Sequence, residues 1–505
     1  MANIPTEVDL LIVGGGINGA GIARDAAGRG LQVLLCEQHD LAQHTSSASS
    51  KLVHGGLRYL ELFEFRLVHE ALAEREVLLR TAPHLVHPMR FVMPHVPQLR
   101  PAWMIRAGLF LYDYLARRDT LPDSDVIDLR ALPYSSGLKT GLRRGFVYSD
   151  CWADDARLVV ANVRAASDLG ATVLTRTTCV SAQRDAARWR VTLQPEAAAP
   201  VTVSSRGLVN ATGPWAKQFL NDNLHLQTPY QLKLVKGSHI VVQRLYEGEH
   251  AFILQNDDRR VVFVYPYQER YTLIGTTDVE HTGEPGKCAA SAAEIEYLCR
   301  AANRYFARAL TPADVTWSYC GMRPLYDDGT KNVSKITRDY VLRVDGDASK
   351  APLLSIFGGK ITTYRKLAEH ALEKLNNWFP NMQPSWTADT QLPGGTLAGN
   401  SLEQYIAWLT AERSHLPPTL LRALALRHGD QAPMVIGEAQ SPADLGEHFG
   451  HTLYAREVDH FMRHEWARNA DDILWRRSKC GLHLNVLQKQ RLEEYVTKHL
   501  VSCVR

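Results

Sequence analysis

The chain opens with an apolar run, a glycine turn and a helical pattern. Residues 8–13 (VDLLIV) are too few for a helix, and three glycines follow them directly. Small apolar residues then recur at helical spacing between Ile17 and Ala27, and a second apolar run at residues 33–35 leads to Glu37. This pattern predicts a strand, a tight turn, a helix and a second strand.

Two later segments repeat parts of this arrangement. Residues 206–215 (RGLVNATGPW) predict a strand that runs into a turn, and residues 353–375 predict a strand, a glycine pair and a helix. Between them, residues 233–245 and 259–280 are rich in Val, Ile, Tyr and Thr. This composition favours antiparallel strands, with a turn at residues 268–270.

These patterns predict an α/β with α+β fold made of a Rossmann-like cofactor domain, an inserted antiparallel-sheet substrate domain and a C-terminal all-helical domain. Residues 120–144 show no pattern that predicts an element. A linker follows Gln391, and helices are predicted beyond it at 457–475 and 486–500. The predicted boundaries are 1–78, 145–230 and 335–388 for the first domain, 79–144 and 231–334 for the second, and 396–505 for the third.

Composition excludes some classes of protein. The 505 residues are 45% hydrophobic and 22% charged with a net charge of +3, which argues against a nucleic-acid binder. The eight cysteines form no C-x-x-C pair, so we expect reduced cysteines that pack in the interior of a cytosolic protein. The N-terminus lacks a signal-peptide pattern and no apolar run reaches about 18 residues, so we expect a chain that does not cross a membrane but could lie on one.

The first glycine turn carries a dinucleotide-binding pattern. Gly14, Gly16 and Gly19 form G-x-G-x-x-G between the predicted strand and helix, and Glu37 follows 18 residues later. The glycines permit a tight turn and close approach of a pyrophosphate, while the carboxylate can bind a ribose hydroxyl. The predicted cofactor contacts in this turn are Gly14, Gly15, Gly16, Ile17, Asn18 and Gly19.

The other two glycine turns favour FAD over a nicotinamide cofactor, because an elongated cofactor needs several approaches. One turn ends at Gly213, and the other contains Gly359 and Lys360. A helix starting near Lys360 would direct its positive end at the reduced flavin, with Thr362 as a further donor. The alternative is an ordinary helix start preceded by glycines.

A basic stretch, SSKLVHGGLRYLE (49–61), follows the second predicted strand. The preceding and included hydroxyls of Thr45, Ser46 and Ser50 are expected to reach the cofactor phosphates. His54 and Arg58 would face the flavin ring. Together with Arg323 and Lys360, Arg58 would suit a small phosphate dianion, although each cation alone could be a solvated surface residue.

Several motifs together resemble the FAD-dependent glycerol-3-phosphate dehydrogenases of aerobic bacteria, a branch of the D-amino-acid-oxidase-like flavoproteins. The motifs are GGGINGAGIARDAAGRG, SSASSKLVHGGLRYLE, LVNATGPW, KGSHIVV, GTTDVE, GMRPL and FGGKITTYRKLAEHALEKL. The resemblance covers nearly the whole chain. Met322 stands where Val or Leu is expected, which is a size-conserving change.

The resemblance implies oxidation of sn-glycerol 3-phosphate to dihydroxyacetone phosphate, with hydride passing to FAD and electrons to membrane ubiquinone. It implies a substrate held by Arg58, Arg323 and Lys360 near Tyr59. We expect His54 to be the base, because imidazole titrates near neutral pH, with His239 as the alternative. The resemblance also implies a homodimer on the cytoplasmic face of the bacterial inner membrane.

The sequence alone also allows three other functions. The nearest is a glycerol-3-phosphate oxidase that uses O₂, and a second is an amine oxidase of the same fold. A third is a flavin-binding membrane docking or sensor protein. Flavin bleaching by glycerol phosphate, and peroxide formation, would separate them.

Residues 98–118 predict an interfacial helix. Trp103, Phe110 and Tyr114 alternate with Arg106, Arg117 and Arg118, as in helices that place aromatics at lipid headgroups and arginines on anionic phosphates. The alternative is a helix packed on the core with an outer face of arginines.

A metal site is not expected. His460 and His464 are four residues apart in a predicted helix, and Glu465 follows them. The order lacks the glutamate placement of a metalloprotease helix, and the sequence offers no third ligand at a suitable spacing.

Overall fold

The computed structural model describes residues 4–503 except 97, 186, 328–338, 348 and 400. The predicted domain boundary at 335 therefore lies outside the described residues. The strands are β1 (Glu7–Val13), β2 (Val33–Cys36), β3 (Leu52–Val53), β4 (Val86–Pro94), β5 (Asp125–Asp128), β6 (Arg144–Ala153), β7 (Thr172–Leu174), β8 (Thr177–Asp185), β9 (Arg188–Pro195), β10 (Val201–Asn210), β11 (Leu232–Gln243), β12 (Ala251–Gln255), β13 (Val261–Tyr267), β14 (Tyr271–Gly275), β15 (Val279–His281), β16 (Val315–Tyr326), β17 (Val341–Asp345), β18 (Leu353–Phe357), β19 (His448–Gly450) and β20 (Leu453–Tyr454). The helices are α1 (Ile17–Gly28), α2 (Phe65–Thr81), α3 (Ala102–Tyr114), α4 (Asp155–Asp168), α5 (Ala216–Gln218), α6 (Ala292–Asn303), α7 (Tyr364–Leu375), α8 (Leu402–Glu412), α9 (Pro418–His428), α10 (Ala432–Ile436), α11 (Ala455–His464) and α12 (Val486–Cys503).

The first sheet has a Rossmann-like parallel centre. Its order is β17-β18-β10-β1-β2-β7; β1 pairs in parallel with both β10 and β2, whereas β17 and the β8–β9 pair, which joins β10 through β9, are antiparallel. Helices α1, α4 and α7 cover one face, and β8, β9 and residues 216–224 pack on the other, so β2 is buried along its whole length. Strands covered on both faces read as continuous apolar runs rather than alternating ones. The predicted strand, turn, helix and strand at the N-terminus are thereby confirmed.

The second sheet is antiparallel for most of its length and has the order β15-β11-β14-β13-β12-β4-β6-β3. The predicted hairpin turn at residues 268–270 joins β13 to β14. Strand β5 lies in the segment that showed no pattern. Strands β3 and β6 also belong to this sheet, although the predicted boundaries put residues 1–78 and 145–230 in the first domain. The boundaries stay a prediction, but strand pairing assigns 52–53 and 144–153 to the second sheet.

The C-terminal domain is helical, as predicted, with one short hairpin of β19 and β20. The single helix predicted over 457–475 is wrong, because α11 ends at His464 and the next helical turn begins at Asp472. Trp466 has a φ of +58°, which an α-helix does not accommodate.

Buried ion pairs attach this domain to the first one. The Arg477 guanidinium donates to both oxygens of Asp40, each at 2.8 Å. Arg157 of α4 contacts the Glu465 carboxylate, with one hydrogen bond of 2.9 Å. All four side chains are buried. Breaking such a pair leaves a buried charge uncompensated, at a cost of about 3–5 kcal/mol.

Histidines also lie at this contact. His428 Nδ1, His460 Nε2 and a Glu465 oxygen lie within 4.8 Å of one another, whereas His464 is not part of the group. His428 Nε2 is 2.8 Å from Glu457. Because Arg157 already neutralises the Glu465 carboxylate, we keep the absence of a metal as a prediction.

The buried His428 predicts a pH dependence of stability. Burial lowers its pKa to about 4, against about 6.5 in an unfolded chain. A base whose pKa is lower in the folded state contributes stability above pH 6.5, and this contribution is lost as the pH falls from 6.5 towards 4. The loss is about 3 kcal/mol. Urea unfolding at pH 7 and pH 5 measures it: His428→Gln should show a smaller pH dependence than the parent, and exposed His225→Gln an unchanged one. Equal pH dependence in all three proteins would contradict this assignment.

The cysteines depart from the prediction at one pair. Cys288 and Cys320 form a disulfide between the segment before α6 and strand β16, so the expectation of reduced cysteines is wrong for these two. Cys36, Cys151, Cys179, Cys299 and Cys480 are buried thiols, as predicted.

The predicted interfacial segment contains α3. Its aromatic residues Trp103, Phe110 and Tyr114 face outwards and are 73%, 66% and 67% exposed, whereas Tyr112 is buried. The arginines differ from the prediction, because Arg118 is largely buried in ion pairs with Asp113 and Asp123. None of the described helices is both long enough and apolar enough to span a bilayer.

Candidate active site

The first glycine turn has no room for side chains. A Cβ on Gly19 would lie 1.9 Å from the carbonyl oxygen of Gly14. Gly14 has a φ of +115°, and a Cβ there would lie 2.5 Å from the oxygen of Ala211. The turn therefore lets α1 start directly against the ends of β1 and β10, with its first residues lining a cavity.

Glu37 closes this turn from the end of β2. One carboxylate oxygen accepts a hydrogen bond from the Gly15 amide at 2.7 Å, and the other accepts one from the His39 amide at 2.8 Å. Burial raises the pKa of Glu37. Both amide bonds favour the ionised form, which is the form that can accept from a ribose hydroxyl.

An elongated space begins at this turn. Its first part is a cavity of about 330 Å³ between the ends of β1, β2 and β10. The predicted cofactor residues that line it are Gly14, Gly16, Ile17, Asn18, Glu37, Thr45, Ser46, Gly213 and Gly359. Gly15 and Gly19 instead shape the turn.

The second part is a cavity of about 270 Å³ against the second sheet. Ile17, Thr45, Ser46 and Gly359 line both parts, so the two spaces adjoin along this wall. The predicted residues that line only the second part are Ser50, His54, Arg58, Tyr59, His239, Arg323, Lys360 and Thr362. The structure thus brings together side chains from four distant segments.

The three hydroxyls lie at different places along this space. Ser46 Oγ accepts a hydrogen bond of 2.9 Å from the amide of Ile17, the first residue of α1. Thr45 Oγ1 donates to the carbonyl of Met322 at 2.7 Å. Ser50 lies deeper, with its hydroxyl 3.0 Å from His239 Nε2. The first two therefore stay predicted phosphate contacts, and Ser50 belongs with the histidine.

Asn18 joins the first and third glycine turns. Its Nδ2 donates to the carbonyl of Gly358 at 3.1 Å, and a Cβ on Gly359, where φ is +97°, would lie 2.9 Å from it. Helix α7 begins at Tyr364, four residues after Lys360, so the helix starts about one turn later than predicted. Between them, Thr362 Oγ1 accepts a bond of 3.3 Å from the His54 amide.

Three cations converge on the second cavity. Arg58, Arg323 and Lys360 all line it, and Lys360 Nζ lies 4.0 Å from the centre of the Tyr59 ring. The Arg323 guanidinium packs directly against Gly237, where a Cβ would lie only 2.4 Å from it. This close packing leaves Arg323 little room to move. Asp278 forms an ion pair with Arg323. One carboxylate against three cations leaves a cavity wall that attracts a dianion.

Sequence reasoning missed Asp278. It lies in GTTDVE, which carried the family resemblance, but nothing in that segment indicates a partner 45 residues away on β16. The Thr276 hydroxyl also lies 3.3 Å from the Arg323 guanidinium. Together they orient the fork of Arg323 towards the cavity.

Both predicted histidines line the second cavity. His54 follows β3, and its ring lies 6.0 Å from that of Phe263. His239 on β11 is buried, stacks on Tyr319 at 4.6 Å and is covered by Gly275, where a Cβ would lie 2.0 Å away. Burial, and then Arg323 and Lys51, hold the pKa of His239 well below its usual value. His239 is therefore neutral at pH 7, and the same surroundings make it a weaker base than an exposed imidazole.

Comparison with known proteins identifies the family. Residues 9–365 match the family model described as FAD dependent oxidoreductase, and residues 385–501 match the C-terminal domain of alpha-glycerophosphate oxidase. The chain belongs to the FAD-dependent oxidoreductases. The two matched segments correspond to the two sheets taken together and to the helical C-terminal domain.

Similar proteins cover almost the whole chain. A glycerol-3-phosphate dehydrogenase of Pseudomonas aeruginosa is 55% identical over 97% of this chain and 94% of its own length. A D-erythritol 1-phosphate dehydrogenase of Brucella abortus is 48% identical over 97% and 98%. The crystal structure of the glycerol-3-phosphate dehydrogenase from Bacillus halodurans complexed with FAD is 25% identical, with a TM-score of 0.74 over 99% of this chain and 95% of that one.

The oxidoreductase uses FAD, and its residues fit that cofactor. The first glycine turn leaves a cradle that any Cβ would fill, which suits a pyrophosphate at the start of α1. Glu37, the residue predicted to bind a ribose hydroxyl, lines the first cavity, and the third glycine turn lines the cationic one. Two adjoining cavities suit an extended dinucleotide better than a single nucleotide.

Proposed function

We propose that this oxidoreductase oxidises sn-glycerol 3-phosphate to dihydroxyacetone phosphate. The observation that carries the proposal is the convergence of Arg58, Arg323 and Lys360 on one cavity beside the glycine turns of the cofactor site. Two forked guanidiniums and an ammonium suit a phosphate dianion, whereas an amino acid would need a single cation for its carboxylate. The relative from Pseudomonas aeruginosa supports the same substrate.

The protein's own residues divide the work of the reaction. Arg323 and Arg58 bind the phosphate, and Lys360 and Tyr59 close that end of the cavity. FAD, when bound, supplies the acceptor for the hydride that leaves C2. The C2 hydroxyl must lose its proton, and we propose His54 as the base, with His239 as the alternative. His239 is neutral and lines the same cavity, so both are tested.

Anaerobic titration with glycerol 3-phosphate tests the reaction. We expect complete loss of flavin absorbance, while glycerol and D-alanine leave the flavin oxidised. His54→Gln and His239→Gln then identify the base: the variant that lacks it should reduce flavin about 100–1,000-fold more slowly and lose the ascending limb of the pH profile. An unbleached flavin at saturating glycerol 3-phosphate would reject the function.

A longer phosphorylated polyol is the main alternative substrate, because the Brucella abortus relative is a D-erythritol 1-phosphate dehydrogenase. The phosphate-binding residues would serve both substrates. Comparing kcat/KM for the two compounds under identical conditions decides between them. We expect glycerol 3-phosphate to have the higher value.

We further propose that ubiquinone reoxidises the flavin. The competing acceptor is O₂, because the C-terminal domain matches one described from alpha-glycerophosphate oxidase. With substrate present, a soluble quinone should sustain turnover in the absence of oxygen. Stoichiometric peroxide in air, with no quinone reduction, would favour the oxidase.

Peripheral attachment through α3 is the proposed route to the quinone, on the cytoplasmic face of the inner membrane. Trp103, Phe110 and Tyr114 are each more than 60% exposed, and the ring centres of Phe110 and Tyr114 lie 4.8 Å apart. Exposed aromatics in a contiguous patch favour a lipid or protein contact. Arg106 remains available for anionic headgroups, and Arg117 is exposed but pairs with Asp119, whereas Arg118 is engaged with Asp113 and Asp123.

Changing this aromatic patch should weaken binding of the protein to lipid vesicles. Trp103→Ser with Phe110→Ser should lower binding to vesicles containing phosphatidylglycerol by at least tenfold, because each ring buries apolar area in the interface. Dye-linked activity should remain. Trp408→Ser, which removes an exposed tryptophan from α8 in the C-terminal domain, is the matched control. Unchanged co-sedimentation of the double variant would contradict the proposed contact.

The proposed homodimer is tested separately by sedimentation in detergent.

A further inference from the structure

Helix α3 has an inner face that packs against the turn bearing Arg58 and Tyr59, which line the substrate cavity. Its outer face bears the exposed aromatics, whereas Ile105, Leu109 and Tyr112 are buried on the opposite side. Ile105, Leu109 and Tyr112 pack in the same apolar cluster as Leu60, which lies in the turn that contains Arg58 and Tyr59. One helix therefore contacts both the protein surface and the segment that binds substrate.

Tyr112 makes the polar contact in this cluster. Its hydroxyl accepts a hydrogen bond of 2.8 Å from the amide of Gly55 and donates one of 2.7 Å to Asp150. Asp150 on β6 is held in turn by Arg75 of α2, whose Nη1 donates to it at 2.7 Å. These three side chains are at most 2% exposed. A buried network of this kind resists rearrangement, because any displaced group would lose a bond that water cannot replace.

The Gly55 backbone is confined from both sides. A Cβ on Gly55 would lie 2.5 Å from Leu72 of α2 and 2.7 Å from the Tyr112 hydroxyl. On the other side, the amide of the preceding His54 donates to Thr362. The next residue, Gly56, has a φ of +76°. The turn that places His54 and Arg58 in the cavity is thus fixed between α3 and the third glycine turn.

We propose that Tyr112, supported by Asp150 and Arg75, is a positioning residue that sets the His54–Arg58 turn and links the outer face of α3 to the substrate cavity. Tyr112 acts through the Gly55 amide and does not itself touch the substrate. The kinetic part of this inference rests on the proposed function, whereas the link between α3 and the turn does not.

Tyr112→Phe tests the link, because it keeps the ring and removes only the hydroxyl. Amide exchange at residues 54–58 should become at least tenfold faster, since the Gly55 amide loses its shorter hydrogen bond and keeps only the contact of 3.3 Å with Asp150. Flavin content should stay constant, while the dissociation constant for glycerol 3-phosphate rises, or flavin reduction slows, by about tenfold. Tyr305→Phe is the matched control: it removes the hydroxyl of another buried tyrosine, which donates to Gln255, and should change neither reading.

The possible outcomes test the link between α3 and the turn separately from the effect of Tyr112 on substrate binding and flavin reduction. Unchanged exchange at residues 54–58 in Tyr112→Phe would overturn the link, even if glycerol 3-phosphate reduces the flavin. Faster exchange with unaltered substrate binding and reduction would overturn the positioning role. If the parent flavin is not reduced by glycerol 3-phosphate, the proposed function fails while the exchange measurement still decides the link.

Discussion

Arg323→Ala should lower kcat/KM for glycerol 3-phosphate by about 1,000-fold. Removing the guanidinium deletes a charge-assisted contact with the phosphate, which contributes about 2–3 kcal/mol. It also leaves the Asp278 carboxylate facing the cavity without that partner, and a carboxylate repels a phosphate dianion. Both effects raise the free energy of the bound substrate. The rate of anaerobic flavin reduction across substrate concentrations measures the change.

The carboxylate effect has its own test in a double variant. Arg323→Ala with Asp278→Asn should recover about tenfold of the lost kcat/KM, because the repulsion is removed while the guanidinium stays absent. Arg188→Ala is the control, since Arg188 lies on β9 of the first sheet and pairs with Glu7. A double variant as inactive as Arg323→Ala would show that Asp278 does not act on the phosphate.

Gly19→Ala should yield a protein without flavin. In an ordinary helix this change stabilises the chain by up to about 1 kcal/mol. Here the new Cβ would lie 1.9 Å from the Gly14 oxygen, so α1 must move away from the turn that receives the pyrophosphate. We expect a loss of about 3 kcal/mol in the free energy of unfolding, together with loss of FAD. Flavin absorbance per protein and urea unfolding measure both effects.

Gly141→Ala is the matched control for this substitution. A Cβ on Gly141 would meet nothing within 4 Å, so flavin content and stability should stay close to the parent values. Adding FAD to purified Gly19→Ala distinguishes a distorted site from simple loss during purification. Full recovery of flavin at micromolar FAD would refute the steric argument.

Local patterns were the most predictable part of this molecule. The strand, glycine turn and helix at residues 8–28 follow from short-range spacing, because Gly14 and Gly19 are required by backbone atoms within the same unit or on the adjoining strand. The convergence of Arg58, Arg323 and Lys360 was also anticipated, since each follows a glycine near the end of a strand. The strands that precede or contain these residues belong to different sheets, β3 and β16 to the second and β18 to the first, so strand order alone would not have brought them together.

Features that depend on distant pairs were not predictable. Asp278 and Arg323 meet because β11 pairs with both β15 and β16. The pairing of Cys288 with Cys320, the break after His464 and the ion pairs of Arg118 likewise depend on neighbours that one sequence does not reveal. Hydrophobic periodicity indicates which face of an element is buried, but it does not indicate which polar side chain from a distant segment will contact that face.

The Asp40–Arg477 pair makes the C-terminal domain inseparable from cofactor binding. Asp40 lies three residues beyond Glu37 and is completely buried, and Arg476 shares its carboxylate. A gene fragment that stops at the linker would leave the Asp40 carboxylate without either guanidinium, three residues from Glu37. A chimera that exchanges C-terminal domains between relatives must therefore keep Asp40, Arg476 and Arg477 together. A gene truncated at the linker would behave as a null allele.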